Sequence, residues 1–471
     1  MQKIIPVYYS EYGRYITRFR AIPFHIDCLK PVERRILLTL HEVARTKLTK
    51  SAKVVGYCIG NLHPHGDQSC YGTLVNLVQQ KFAIGQGNWG SPGLIDAEAS
   101  SYRYTECRLS DWVEELAFKY IDFVPWENFE LEKEPLYLPS PVPLGLIGEG
   151  VITGISFYRT LIPKYKLKDL LTRLIWLIEN QKISIQQDLA DDHKMDSKTY
   201  GPEIQPNIKN CQIHEDSLNQ FYSLLFHGTG SINIIPNGKI ENNSIKILGR
   251  APNSTFNSLE KDKDELNIYL NCLSKDSVNI EVIPKKRGID LTELGNRIWK
   301  DYLNKKFNFD CILCNEEGMA VTIGIDMLIS NSYLAWARAV LLKNIDAYER
   351  LCNKKFEILG VQIIRYIIEI TKANKISQIV DKFNELCQTK SMLIEMEEYD
   401  LENRNWIKKT KNITKEDIEE ICSKKSIKNL VETEIDFKQV EKDILSAKSS
   451  IDHVDVECYK YVKELQQKAK F

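Results

Sequence analysis

The chain has 471 residues, of which 43% are hydrophobic and 27% are charged, and its formal net charge is −1. Such a length exceeds one compact core, so we expect two to four domains, and the composition excludes an intrinsically disordered chain. A membrane-spanning protein is excluded because no apolar run approaches the roughly 20 residues that cross a bilayer, and the N-terminus does not have the pattern of a secretory signal.

The first section, residues 1–158, combines short helical patterns with turns rich in Gly and Pro. Its residues 1–60 carry eleven Lys and Arg against four Asp and Glu. This local excess of positive charge indicates either a surface that binds a polyanion or a basic face that is only solvated. Pro31 is typical of a first helical position, and the apolar residues that follow it share one face. This pattern predicts a helix that leaves Arg34 and Arg35 near its exposed start. A second helical run begins near Cys70 and continues through Val78.

The middle section, residues 159–328, alternates between helical and strand-like patterns. Residues 166–180 form a strongly amphipathic helical pattern, whereas residues 231–235, 244–248 and 279–283 have the period of half-buried strands. Together they predict an α+β module. Cys311 and Cys314 form a CxxC pair without a second pair nearby, so we interpret them as part of a buried strand rather than as a zinc site. The twelve scattered cysteines predict free thiols in a reducing compartment.

The last section, residues 329–471, is predicted to be helical. Apolar residues recur every three or four positions over 341–370, and a stricter heptad seam extends from 437 to 465. These patterns predict an antiparallel two-helix stalk formed by residues 329–371 and 430–468. Shorter helical patterns at 376–387 and 415–426 predict a small head at 372–429.

Five motifs of the first section, followed by a short tyrosine segment, carry a resemblance to one family. In order they are FRAIP at 19–23, LKPVERR at 29–35, KSAKVVG at 50–56, HPHGD at 63–67, GQGNWGS at 85–91 and YRYTE at 102–106. They resemble the breakage-reunion domain of gyrase A and topoisomerase IV A subunits, with Trp89 at a position where the family has Phe. The resemblance covers nearly the whole chain.

The resemblance implies a winged-helix breakage domain (1–158), an α+β tower domain (159–328) and a coiled coil with a helical dimerisation head (329–471). It implies a homodimer joined through that head, which binds double-stranded DNA and cleaves it through a 5′-phosphotyrosyl bond. The implied catalytic residues are Tyr104, Arg103, Arg20 and His65. The implied DNA-binding residues are Lys30, Arg34, Arg35, Lys50, Ser51, His63, Gln68, Val151 and Ile152.

The chemistry of Tyr104 can also be argued from its residue type. A phenol has a pKa near 10, so at neutral pH it is a poor nucleophile unless cations stabilise the phenolate. Arg103 is adjacent, but neighbours in a strand point to opposite sides, so we expect Tyr104 to depend on Arg20 or His65 as much as on Arg103. Arginine forks bind phosphate oxygens bidentately and suit this transition state.

Two motifs have other interpretations. His63 and His65 could chelate a metal, but no nearby carboxylate or Cys set completes a site, so we predict no metal ligands in this chain. Residues 85–90 formally match GxGxxG, yet a dinucleotide site requires a helix that Ser91, Pro92 and Gly93 prevent.

The segment at 146–154 resembles the family segment that inserts an apolar side chain into DNA and bends it. Alignment on Thr153 and Gly154 makes Val151 this wedge. Because the loop before it looks shorter than usual and the stretch after Gly154 looks longer, Ile152 remains an alternative, as does an ordinary buried turn.

A complete type II enzyme also needs ATP and Mg²⁺. The sequence contains no Walker-type loop and no acidic cluster for magnesium, so we expect a separate gyrase B-like ATPase-TOPRIM subunit to hold both. The sequence ends after the second stalk helix without the DNA-wrapping domain of gyrase A. We therefore expect relaxation or decatenation rather than supercoiling, by a phage-like enzyme in a bacterial or host cytoplasm.

The helix after HPHGD departs from the family pattern at two positions. Bacterial members of the family carry Ser and, four residues later, an acid that together anchor quinolones, whereas this chain has Gln68 and Gly72. We therefore predict insensitivity to quinolones.

Two other functions have to be weighed against the cleavage function. A DNA-bending or bridging protein that lost the chemistry is disfavoured by the intact Arg103-Tyr104 pair and HPHGD. A type IIB-like cleavage chain would carry its own TOPRIM acids, which the sequence does not contain.

Overall fold

A computed structural model gives the fold. It describes residues 4–90, 98–129, 132–155, 157–181, 201–214, 218–241, 243–252, 265–270, 280–286, 288–389, 392–424, 426–432 and 436–469. Ser91, Pro92 and Gly93, on which the argument against a dinucleotide site depends, lie outside these residues. Helices and antiparallel sheets occur together, which confirms the α+β class. None of the described helices is long and apolar enough to cross a membrane.

The chain divides into two compact units, one of residues 1–339 with 458–471 and the other of residues 340–457. The predicted boundaries after residues 158 and 328 stay predictions. The helices of the first unit, including two that extend beyond it, are Ile4–Ile16, Pro31–Val43, Ser51–Tyr57, Asp67–Gln79, Asp111–Val113, Leu167–Gln181, Leu218–His227, Leu291–Ile298, Ile325–Thr371 and Val454–Lys468. Single π-helical turns occur at Thr17–Ala21, Cys58–Leu62, Glu114–Phe118 and Trp299–Leu303.

The sheets of the first unit are antiparallel. A three-stranded sheet has the order Thr49–Lys50, Glu106–Leu109, Ala83–Gln86. A five-stranded sheet has the order Val151–Ile155, Arg159–Pro163, Lys305–Asp310, Thr229–Pro236, Cys211–Ile213. A four-stranded sheet has the order Gly238–Ile240, Ile245–Ile247, Ile280–Pro284, Leu266–Leu270. Two hairpins pair Trp126–Phe129 with Glu132–Pro135 and Ile312–Cys314 with Ala320–Thr322.

The predicted helices of the first unit form close to their expected positions. Pro31 begins the Pro31–Val43 helix, and the Glu33 carboxylate accepts the backbone N–H of Lys30 at 2.8 Å, which caps the helix start. The Asp67–Gln79 helix begins three residues before the predicted Cys70. Cys311 and Cys314 are buried at and beside a strand, as their interpretation required.

The second unit contains two features that the sequence did not predict. Its head has the helices Ile376–Thr389, Lys415–Lys424 and Ile427–Glu432, but it also contains an antiparallel hairpin of Leu393–Asp400 and Asn405–Asn412. The expectation of a purely helical head is therefore corrected. The predicted continuous helix at 430–468 is also wrong, because Phe437–Asp452 and Val454–Lys468 are separated at His453.

Contacts in this unit show that the long helix and the return helix lie side by side in opposite directions. Asn344 Nδ2 donates to the carbonyl of Ser450 at 3.3 Å, and Lys355 Nζ lies 3.0 Å from Glu441 Oε1. As one residue number rises the other falls, so these two helices are antiparallel, whereas the coiled coil itself stays a prediction.

Candidate active site

Tyr104 lies in a turn immediately before the central strand of the three-stranded sheet. Its backbone N–H donates to the carbonyl of Ser101 at 2.9 Å, and the strand Glu106–Leu109 begins two residues later. Tyr104 is 65% exposed, compared with 58% for Tyr366 and 56% for Tyr12. A rigid sheet thus presents a phenol to solvent, where a substrate can reach it.

The guanidinium of Arg103 lies over the ring of Tyr104, with its carbon 5.0 Å from the ring centroid. We expected these neighbours to point to opposite sides of a strand, and that expectation is wrong because both residues belong to the turn. A cation over the ring face is attracted by the ring quadrupole. Arg103 is therefore the cation that the structure places on Tyr104.

Thr105 anchors the turn from beneath. It is fully buried, and its hydroxyl donates to Ser51 Oγ at 2.8 Å while its carbonyl accepts the N–H of Ser51 at 3.0 Å. The hydroxyl of Tyr71 lies 3.1 Å from Thr105 Oγ1. Since Ser51 is fully buried and hydrogen-bonded to Thr105, the prediction that it contacts DNA is corrected. Its role is to position the turn that carries the exposed phenol.

A second cluster of cations and histidines gathers around His63. Nδ1 of His63 lies 2.9 Å from a guanidinium nitrogen of Arg35, and the His63 and His65 rings stack with centroids 4.3 Å apart. Burial, together with the positive charges of Arg35, His65 and Arg20, lowers the pKa of His63 to about 3. His63 is therefore neutral at physiological pH. The structure thus brings together three predicted residues, Arg20, His63 and His65.

Two π-helical turns hold this cluster. Arg20 is exposed in the turn Thr17–Ala21, and the turn Cys58–Leu62 leads directly into His63. Such turns interrupt a regular helix and are common at functional sites. Sequence patterns do not reveal them, because their residues fit an ordinary helix equally well.

Arg34 and Arg35 are corrected from exposed DNA contacts to buried ion pairs. Arg34 donates to both carboxylate oxygens of Asp27 at 2.7 and 2.9 Å, and Arg35 donates to both oxygens of Glu134 at 2.7 Å. Their exposed fractions are 7% and 1%. The sequence analysis did not identify Asp27 and Glu134 as functional partners. The signal that could have indicated such partners was the presence of adjacent arginines on a helix that must bury one face.

The remaining predicted polar contacts are accessible. Gln68 is exposed and Lys30 is half-buried, and with Arg20 they line a cavity of about 820 Å³ beside the Asp67–Gln79 helix. Lys50 is exposed, although its ammonium lies 2.7 Å from Glu106 Oε1. These side chains can meet a ligand without unfolding the core.

The two candidate wedge residues have opposite environments. Val151 is half-buried and faces the same side of its strand as Thr153 and Ile155, whereas Ile152 faces the core and is 5% exposed. Of the two, only Val151 is accessible, so the alternative of Ile152 is corrected. Sequence reasoning assigned no role to Ile155, Phe157 and Tyr158, which are the exposed apolar residues of this hairpin.

Comparison with known proteins relates these residues to one family. A family model that describes the A subunits of DNA gyrase and topoisomerase IV matches residues 20–455. The A subunit of DNA topoisomerase 4 from Salmonella typhimurium is 27% identical over 382 residues, which are 76% of this chain and 49% of that protein. The A subunit of DNA gyrase from Clostridium acetobutylicum is 35% identical over 209 residues, 41% of this chain and 24% of that protein. The chain thus spans at most about half the length of these relatives.

Proposed function

Because the chain belongs to the family of DNA gyrase and topoisomerase IV A subunits, we propose that it is the DNA-cleaving and rejoining subunit of a type IIA topoisomerase, with Tyr104 as its nucleophile. The observation that carries this proposal is an exposed phenol in the turn before the central strand of a sheet, with a guanidinium over its ring.

In the proposed reaction the phenolic oxygen of Tyr104 attacks the phosphorus of a DNA phosphodiester. An O–P bond forms to the tyrosine, and the bond from phosphorus to the 3′ oxygen breaks. The phenol loses its proton and the leaving 3′ oxygen gains one. One phosphodiester is exchanged for another, so rejoining is the reverse step and needs no ATP.

Cations of this chain stabilise the charge that develops. Arg103 lies over the Tyr104 ring and places positive charge beside the nucleophile, and Arg20 and His65 are suited to the phosphate oxygens. His63 supports them, since it is buried and neutral and stacks on His65. Lys30, Lys50, Gln68 and Val151 are the accessible residues that would hold the duplex.

The finer architecture belongs to the same proposal. We assign the first section to a winged-helix domain and the second to a tower. The antiparallel helices of the second unit are assigned to a coiled coil whose head joins two copies, so that paired Tyr104 residues open both strands for passage of another duplex. Within the described residues, His, Cys, Asp and Glu do not form a group of three that could hold a metal. Because the matching family consists of A subunits, we assign Mg²⁺ and ATP to a separate gyrase B-like subunit.

The test is a cleavage assay on the reconstituted enzyme. The chain is mixed with an ATPase-TOPRIM subunit encoded by the same genome, Mg²⁺ and supercoiled plasmid, and cleavage is trapped with denaturant. Protein should remain on the 5′ ends. Tyr104→Phe should abolish this linkage while DNA binding survives, and Tyr102→Phe, a matched change two residues away, should retain it. Linkage that persists in Tyr104→Phe would overturn the proposal.

A further inference from the structure

The turn that carries Tyr104 is anchored on both sides of the nucleophile. Within the turn, the Tyr104 N–H donates to the carbonyl of Ser101 at 2.9 Å. Before it, the N–H of Ser100 donates to the carbonyl of Asn88 at 3.0 Å, and after it Thr105 is fully buried. The direction in which the exposed phenol points therefore depends on how Ser100 and Thr105 are held relative to each other.

One hydroxyl group reaches both of these anchoring residues. Tyr71, on the Asp67–Gln79 helix, donates its hydroxyl proton to the carbonyl of Ser100 at 2.5 Å, and the same oxygen lies 3.1 Å from Thr105 Oγ1. A phenolic hydroxyl has one proton and also lone pairs, so it can contact two polar partners at once. Tyr71 thus connects the chain before the nucleophile to the chain after it.

The ring of Tyr71 is held by two further aromatic side chains. Its centroid lies 5.9 Å from that of Trp89 and 5.7 Å from that of Tyr102, which belongs to the same turn as Tyr104. Trp89 is itself fixed, because its carbonyl accepts from Gln79 Nε2 at 2.9 Å. Aromatic rings attract each other at such separations. The position of the Tyr71 hydroxyl is therefore set by the packing of its ring.

The helix that carries Tyr71 is anchored in the core on one side and borders a cavity on the other. Cys70 and Leu74 are fully buried, whereas Gln68 and Gly72 are exposed and line the cavity of about 820 Å³. Tyr71 is half-buried and, among the described residues, is not one that lines this cavity. Its hydroxyl is therefore directed to the turn rather than to a ligand of the cavity.

We propose that Tyr71 is a positioning residue for DNA cleavage, whose hydroxyl holds Ser100 and Thr105 so that the phenolic oxygen of Tyr104 meets the DNA phosphorus in line. This inference rests on the proposed function, because it concerns the reaction assigned to Tyr104. A reacting group has to be held within about 0.5 Å of its productive position, and a misplacement of about 1 Å slows a reaction about a hundredfold. Since cleavage and rejoining share one transition state, loss of the hydroxyl slows both alike.

The experiment follows the covalent protein–DNA linkage in time, with the complete reconstituted enzyme, Mg²⁺ and saturating duplex DNA. Tyr71→Phe keeps the ring that contacts Trp89 and Tyr102 but removes the hydroxyl. The rate constant for the approach to the cleavage equilibrium should fall about ten- to hundredfold. The fraction of bound DNA that is cleaved at equilibrium and the dissociation constant for DNA should stay unchanged.

Tyr348→Phe is the matched control. It also removes a tyrosine hydroxyl that donates to a backbone carbonyl, that of Glu397 at 3.1 Å, but it does so in the second compact unit. The rate constant, the equilibrium fraction and the affinity should all stay unchanged in this variant. Equal slowing in the two variants would show a general effect of a lost hydrogen bond and would overturn the inference.

The outcomes separate this inference from the function on which it rests. If the unaltered enzyme forms no covalent linkage, the proposed function fails, and the inference fails with it. If the unaltered enzyme cleaves DNA but Tyr71→Phe approaches equilibrium at the same rate, the positioning role of Tyr71 alone is overturned. That role is also overturned if Tyr71→Phe lowers only the fraction cleaved, which indicates a folding defect, or only the affinity, which indicates direct contact with the duplex.

Discussion

Arg35 links His63 to Glu134. One guanidinium nitrogen of Arg35 lies 2.9 Å from Nδ1 of His63, while two others donate to the Glu134 carboxylate at 2.7 Å. Because a guanidinium only donates, Nδ1 of His63 is the acceptor and its proton is on Nε2. The histidine that stacks on His65 is thus fixed in one neutral tautomer by a carboxylate 99 residues from that arginine in sequence.

The neutral state of His63 predicts how stability depends on pH. The pKa of His63 is lowered to about 3 in the folded chain, against about 6.5 when unfolded. Between these two pH values His63 binds a proton in the unfolded chain but not in the folded chain. The contribution of neutral His63 to the free energy of unfolding is therefore complete above pH 6.5 and is lost as the pH falls toward 3. We expect a slope of about 1.4 kcal/mol per pH unit from this group in that window.

Chemical denaturation between pH 4 and 8 measures that slope. His63→Asn, whose amide oxygen can still accept from Arg35, should reduce it by the contribution of one proton. His25, which is half-buried and whose pKa is lowered to about 4 by desolvation, should account for part of the remainder. His227→Asn, at the exposed end of a helix, is the control and should leave the slope unchanged. An unchanged slope in His63→Asn would contradict the assignment.

The Arg35–Glu134 pair predicts a large stability effect. Glu134→Gln removes the carboxylate from a pair whose guanidinium is 1% exposed, and removal of one partner of a buried ion pair costs about 3–5 kcal/mol. The free energy of unfolding in urea measures this loss. Glu385→Gln breaks the exposed pair with Lys382 at 2.7 Å and should cost less than about 1 kcal/mol. Equal losses in the two variants would show that burial does not set the effect.

The sequence predicted those parts of the fold that have a strong apolar period. The Pro31–Val43, Leu167–Gln181 and Ile325–Thr371 helices bury one face, so their patterns are regular. The hairpin of Leu393–Asp400 and Asn405–Asn412 was missed because charged residues fill it, as in the cross-strand pair of Glu397 and Lys408. Without apolar alternation, neither strand has a pattern that sequence reasoning can detect.

The site was predicted in part for a related reason. Motifs identify residue types but not the side on which each residue lies, so Arg34, Arg35 and Ser51 were assigned to DNA although they are buried. Their partners are distant in the chain, and tertiary packing alone decides the pairing. The turn at Tyr104 was mistaken for a strand because the regular strand begins two residues later.

The surface of the Asp67–Gln79 helix predicts a drug response. Gln68 and Gly72 both line the cavity and are exposed, and a Cβ added at Gly72 would meet nothing within 4 Å. The double substitution Gln68→Ser with Gly72→Glu restores the Ser and the acid of the resembling family, and it is therefore sterically free. It also removes a glycine from a helix, where glycine costs up to about 1 kcal/mol of stability. We expect quinolone-stabilised cleavage in the double variant and none in the original chain.

Cleavage of plasmid by the reconstituted enzyme across a drug titration checks this prediction. Gly56→Glu places the same side chain at another helical glycine with open surroundings, and it should leave the enzyme insensitive. Sensitivity of the original chain at ordinary drug concentrations would contradict the prediction. So would a double variant that still cleaves DNA but does not respond to the drug.

The contacts of Trp406 indicate that this side chain holds the hairpin of the second unit in place. Its indole N–H donates to Asp452 Oδ1 at 2.8 Å, and its ring contacts those of Tyr348 and Tyr399 at centroid distances of 4.8 and 5.1 Å. The Lys448 ammonium lies 4.6 Å from the same ring. Trp406→Ala removes all of these contacts, so we expect a loss of about 3 kcal/mol in the stability of this unit.

Hydrogen exchange resolves where this loss falls. The amides of Leu393–Asp400 and Asn405–Asn412 should exchange faster in Trp406→Ala, and so should those at the end of Phe437–Asp452, where Asp452 would lose its partner. Ile407→Ala alters the adjacent residue, which is 43% exposed, and should change stability by no more than about 0.5 kcal/mol. If the hairpin amides exchange at the same rates in both variants, the hairpin is held by the backbone hydrogen bonds between its strands rather than by Trp406. Because Asp452 immediately precedes the break at His453, faster exchange confined to the hairpin would instead mean that Trp406 does not stabilise the helix end.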